Sequence, residues 1–383
     1  MKVLYFYPEN PLLKTQGNNA RALALLEYFK NKNIEVDFVG VATEIFTEKE
    51  INKLKEEKLI SNGHLLPIFI RKKNKLKYFF YKSLPNKITR NISLFDRTRI
   101  GHYEAFNAVL KANDYDIVLI SYIYWSKLVK NSPNIKNAKL MIDTHDFLTS
   151  QFQKQKKFQL GRFFQKEIEI LNRFDKILVI SQEEKYLFSQ FIDKEIALAT
   201  HALPSKMNSK IDLKYDLIYV ASDNDHNING ANWFFNNVYP LLSKSVKIAV
   251  IGKINKQIGE FSNVEKISFV EDLNTVYAQS KIAICPMLSG TGIKIKVIEA
   301  LSFGIPVVCN ERGLDGLLNK SNNGCLVSND PKEFAAYIDK LLNDENFYNT
   351  ISAEATAFFN NHHSLEANYY ALDKAFDITK NQM

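Results

Sequence analysis

Short apolar runs recur through the first half of the chain, at Val3–Tyr7, Val36–Val41, Ile117–Tyr122, Leu140–Thr144 and Ile177–Ser181. Between the first two, residues 18–31 carry apolar positions at helical spacing. Strand-length runs separated by helical stretches predict a parallel sheet covered by helices. The pattern breaks at 201–215, HALPSKMNSKIDLKY, which is polar and contains Pro204. It restarts with a strand at Leu217–Ala221, a helix near 229–243, strands at Lys247–Gly252 and Lys266–Val270, and a helix from 273. A strand at Ile282–Pro286, a further helix and a strand at Pro306–Cys309 follow. The polar break predicts a domain boundary. Two Rossmann-like α/β domains in tandem result, 1–205 and 206–363. The tail 364–383, with Leu365, Tyr369, Leu372 and Phe376 at helical spacing, is expected to pack back on the first.

A length of 383 residues suits two domains. No stretch approaches the roughly 18 uninterrupted apolar residues of a spanning helix, and the opening MKVLYFYPEN is broken by Pro8 too early for a secretory signal. The expectation is a cytoplasmic protein. Cys285, Cys309 and Cys325 are an odd set, the first two in strand-like surroundings, and read as structural. The net charge of +8 is uneven: 71–90, RKKNKLKYFFYKSLPNKITR, holds many cations, no acid and an aromatic cluster. A second basic and aromatic stretch lies at 153–166. Both suit peripheral contact with an anionic membrane, such as the inner face of the cell membrane, and both equally suit a solvated basic face. No nucleic-acid-binding motif accompanies the charge, so nucleic acid is not expected as a partner.

The chemistry concentrates between 281 and 310, where an apolar strand runs into a loop with Gly290, Thr291 and Gly292, then a helix, then a second strand. A helix N-terminus offers free N–H groups and the positive end of its dipole to an anion, and the glycines allow close approach. Lys294 and Lys296 add charge. Glu299 lies about 9 Å along the axis from Ile293, within reach of a hydroxylated group beyond the phosphates. A nucleoside diphosphate has that order of parts.

These residues resemble the GT-B glycosyltransferases, and within them the retaining, nucleotide-sugar-dependent family 4. The similarity is strongest from Asp216 to Val327, on Thr291-Gly292-Ile293-Lys294, Glu299-Ala300 and Gly304-Ile305-Pro306-Val307-Val308. It implies two Rossmann-like domains facing each other across a cleft. It also implies Glu299 on the donor ribose, Lys294 and Lys296 on the diphosphate, and no metal cofactor. Thr291 stands where the family has a first acid. Gly17, Asn18 and Arg21 match the family's Gly-containing loop after the first strand, and Asn227 with Gly230 its helix start in the second domain. His145 and Asp146 match a His-Asp pair near the transferred sugar. The implied partners are a nucleotide sugar and a glycan or lipid-linked acceptor, as in bacterial-type surface polysaccharide synthesis. A catalytically silent GT-B partner subunit and a sugar-nucleotide epimerase are the alternatives.

Two motifs admit a metal. Asp223-Asn224-Asp225 has an Asp-x-Asp form, but it precedes a helix, where such residues cap turns. His362-His363 has no carboxylate or Cys at ligand spacing and reads as a surface pair.

Overall fold

Continuous apolar strands such as VLYF and IVLI belong in a sheet covered on both faces, because parallel crossovers place helices on either side. In the computed structural model both runs are buried throughout. Residues 1–13, 17–68, 75–79, 84, 94–153, 155–156, 158–207, 212–290 and 292–378 are described. The first sheet has seven strands: β1 (Lys2–Phe6), β2 (Glu35–Val41), β3 (Asn62–Leu66), β4 (Ile117–Ser121), β5 (Lys139–Asp143), β6 (Lys176–Val179) and β7 (Glu195–Leu198). Their order is β3-β2-β1-β4-β5-β6-β7, every pair parallel. The second sheet contains β8 (Tyr215–Val220), β9 (Ile248–Ile251), β10 (Val264–Ile267), β11 (Ser280–Cys285), β12 (Val307–Cys309) and β13 (Cys325–Val327). It runs β10-β9-β8-β11-β12-β13, again all parallel. Each order reverses once, between β1 and β4 and between β8 and β11, which is the doubly wound arrangement.

The chain divides into two compact units, Met1–Leu198 with Asp373–Met383, and Ala199–Leu372. The helix Leu365–Ala375 carries the chain back into unit 1. There Asp373 accepts from the Tyr28 hydroxyl at 2.9 Å and from Lys32 at 2.8 Å. Asp377 pairs with Lys139 at 2.7 Å and with the buried Lys176 at 3.1 Å. Phe376 packs edge-on against Phe29, their ring centroids 5.1 Å apart.

Two predicted elements and the placement of one residue are corrected. The strand expected at Lys266–Val270 is Val264–Ile267, paired with β9. The helix expected near 229–243 starts at Asp225, because the Asn224 side chain accepts from the Asn227 N–H and caps it there. It stays α only to Trp233, widens to a π turn at Phe234–Val238 and tightens at Tyr239–Leu241, where Pro240 lacks an N–H. His363, read as surface, is fully buried, with Nδ1 2.9 Å from the His201 carbonyl.

Candidate functional site

In doubly wound sheets ligands settle outside the carboxyl ends of the strands, where the order reverses. In unit 2 that place is the gap between the ends of β8 and β11, and the loop 286–292 and the helix Ile295–Ser302 follow β11 there. The helix beginning at Asp225 follows β8. Gly230 lets it lie directly on the β11 exit, since a Cβ at this position would fall 1.7 Å from the Pro286 carbonyl oxygen. Gly290 and Gly292 both hold positive φ, 98° and 78°, as the turn into the next helix requires. A Cβ at Gly292 would meet nothing within 4 Å, so the loop is open at that point. Thr291 lies outside the described residues.

Lys296 is on the first turn of this helix and its Nζ donates to Asn227 Oδ1 at 3.0 Å, joining the two helix starts. The Lys296 Nζ also lies 5.5 Å from the Tyr219 ring centroid. Burial pulls its pKa below the ordinary lysine value. Asn227 is held from its other end, its Nδ2 donating to Ser222 Oγ at 3.0 Å. Glu299, one turn further on, accepts from the Tyr277 hydroxyl at 3.2 Å, and burial raises its pKa. Lys294 occupies the N-cap position without capping the helix by its side chain. Its Nζ turns back to the Gly292 carbonyl at 2.6 Å and to Asp315 at 3.6 Å. Of the two lysines, Lys296 is the one that bridges the helix starts; Lys294 braces the loop. Sequence reasoning missed Tyr277, and also His226, whose Nδ1 lies 2.8 Å from Ser289 Oγ beside Gly290.

The remaining predicted residues gather at the corresponding edge of unit 1. Gly17 opens the helix Gly17–Asn31, and Asn18 hydrogen-bonds the Tyr122 hydroxyl. Arg21, matched to the family loop that faces the donor phosphate or the acceptor, forks onto the fully buried Asp143, Nε 2.9 Å from Oδ2 and Nη2 2.7 Å from Oδ1. The guanidinium offsets burial and holds the Asp143 carboxyl well below the usual range. His145 Nε2 lies 3.0 Å from Oδ2 of the same carboxylate, without hydrogen-bond geometry. Its ring stacks on Tyr122 with centroids 4.1 Å apart. Both His145 and Tyr122 hold positive φ, 63° and 68°, which is rare for residues with a Cβ and tends to occur at functional positions. Asp146 follows, its pKa raised by burial. Beneath this turn the buried Glu167 accepts from the Leu148 and Thr149 N–H groups at 2.8 and 2.7 Å.

Residues 214–344, which span the whole Lys296–Glu299 site, match the family described as Glycosyl transferases group 1. That segment of unit 2 is similar to the group 1 glycosyltransferases. Across its full length the chain shares the GT-B fold. It superposes on sucrose-phosphate synthase from Thermosynechococcus elongatus with a TM-score of 0.66 at 14% identity, covering 98% of each chain. The match to Anabaena HepE, solved in complex with UDP-glucose, has a TM-score of 0.67 at 14% identity, covering 99% of this chain and 100% of that one. In sequence, it is 26% identical over 366 residues to an uncharacterized 44.6 kDa protein in the cps region of Klebsiella pneumoniae, covering 82% of this chain and 90% of that protein.

Proposed function

We propose that this chain is a retaining family 4 glycosyltransferase that moves a sugar from a nucleoside diphosphate to a glycan or lipid-linked acceptor in surface polysaccharide synthesis. The observation that carries this reading is the bridge of Lys296 and Asn227 across two helix starts at the β8–β11 reversal, with Glu299 one turn beyond. A diphosphate placed there meets two positive dipole ends and a lysine, and its ribose diol falls to Glu299. As the glycosidic bond breaks, charge grows on the leaving diphosphate, and fixed N–H groups and Lys296 stabilise it without a bound metal. Unit 1 takes the acceptor, with His145 orienting a hydroxyl. HepE, seen with UDP-glucose, and the relative in the cps region are consistent with both halves of this assignment.

The same reading places the enzyme at the inner face of the membrane. Of the two basic stretches, most of 71–90 lies outside the described residues, while 153–166 enters the helix Leu160–Leu171. There Leu160 is 60% exposed, and Phe164 packs on Phe191, itself 54% exposed. Among the described residues no helix is long and apolar enough to cross a membrane. The deciding experiment is calorimetry with UDP followed by a screen for sugar release from nucleotide donors. Binding of nucleoside diphosphates and turnover of at least one donor are expected. Absence of any nucleotide binding would leave a silent GT-B scaffold as the better description.

A further inference from the structure

A cavity of about 410 Å³ opens at the carboxyl end of the first sheet, with neither Arg21 nor Asp143 in its lining. That volume is within the range of small-molecule sites, about 300–1,000 Å³. Its lining includes Pro8, Val41 and Pro67, at or just past the ends of β1, β2 and β3, together with Trp125, Arg97 and Arg99. Trp125 is fixed between Phe6, with centroids 5.1 Å apart, and His102, whose ring lies 5.7 Å away. His102 Nδ1 accepts from the Arg99 N–H at 3.2 Å while its Nε2 donates to the Pro67 carbonyl at 3.1 Å, so the histidine is a neutral brace. The Arg97 guanidinium lies 3.9 Å from the Tyr124 ring centroid, a cation–π contact that holds it at the cavity wall.

Charge decides what this cavity holds. Asp96, the acid next to Arg97 in the sequence, is committed to Lys127 at 2.7 Å and to Thr98. Among the described residues, Glu9 is the single lining carboxylate against two lining guanidiniums. Two forked cations suit a carboxylate or a phosphate, and Glu9 suits the hydroxyls of the ring that bears it. The cavity also connects to the predicted acceptor edge: His145 stacks on Tyr122, Tyr122 lies 6.4 Å from Tyr124, and Tyr124 carries Arg97.

We infer that this cavity binds an acidic sugar of the acceptor, a pyranose bearing a carboxylate or phosphate held by Arg97 and Arg99. The inference rests on the glycosyltransferase reading of the chain. The chain has two tryptophans, Trp125 and Trp233, so 5-fluorotryptophan labelling gives two ¹⁹F resonances, assigned with Trp233→Phe. Full-length protein is titrated with glucuronate, glucose 6-phosphate and glucose. A saturable shift of the Trp125 signal is expected with at least one of the two anionic sugars, the stronger of them naming the anion. Glucose should bind at least tenfold more weakly, and the double variant Arg97→Ala, Arg99→Ala should lose at least tenfold in affinity. No response to either anion, an equal response to glucose, or wild-type affinity in the double variant would overturn the inference. UDP calorimetry on the same samples separates the two failures: retained UDP binding with a silent Trp125 rejects only the acidic-sugar site, whereas lost UDP binding rejects the donor reading beneath it.

Discussion

Lys296 and Glu299 sit one helical turn apart, yet each reaches a different neighbour: the lysine finds Asn227 and the glutamate Tyr277. Burial pushes both toward their neutral forms, which is a cost the free protein carries until an anion arrives to charge-pair with the lysine. Lys296→Ala should weaken UDP binding by about 2–4 kcal/mol in calorimetry, the scale of truncating one partner of a buried charged hydrogen bond. Unaltered affinity would remove the phosphate role. Glu299→Ala tests the ribose contact differently. Wild-type protein should prefer UDP to 2′-deoxy-UDP, and the variant should bind the two about equally; a preference that survives the substitution would place the diol elsewhere. Helical spacing in the sequence already put these two residues on neighbouring turns. What it could not show is Tyr277 under Glu299 or Ser222 behind Asn227. Those contacts depend on β11 lying beside β8, a pairing across more than sixty residues of chain. Nor did it show Lys294 curling onto its own loop, because the choice between a ligand and the Gly292 carbonyl is made by local backbone geometry.

At the level of elements, Gly230 carries a sharp expectation. The helix that starts at Asp225 approaches the β11 exit so closely that a methyl group would overlap the Pro286 carbonyl. Gly230→Ala should therefore destabilise unit 2 by about 1–3 kcal/mol or more, despite alanine's better helix propensity, and also weaken UDP binding by displacing Asn227. Thermal melting and nucleotide titration check the two effects together, and a stabilised variant would contradict the packing described. The central strands were legible because both their faces are buried and their sequences are continuously apolar. Strands β3, β7 and β13 were not. All three lie at sheet edges, and NGHLL, EIAL and CLV are short and only partly buried, so hydrogen bonds to a neighbour define them more than side-chain pattern does.

Considered whole, the molecule should respond to acid unevenly. In unit 1, burial raises Glu167 and Glu184 from 4.5 to about 7. Folded unit 1 therefore keeps protons that the unfolded chain releases between pH 4.5 and 7, and its stability increases as pH falls through that window, by up to about 3 kcal/mol for each glutamate. In unit 2, burial lowers His363 from 6.5 to about 4, so the unfolded chain takes up the extra proton and stability is lost as pH falls from 6.5 to 4. Glu299, raised in the same unit, offsets part of that loss. Calorimetric scans from pH 7.5 to 5 should show the unit 1 transition rising relative to that of unit 2, the latter recognised by its upward shift with UDP. Glu167→Gln should remove part of the divergence; transitions that move in step would refute the assignment. One consequence lies in the order of manufacture. Because Asp373 and Asp377 clasp Tyr28, Lys32, Lys139 and Lys176, the half begun first on the ribosome is the half completed last. The contiguous half, Ala199–Leu372, can mature while its predecessor still waits for a clasp a few residues long.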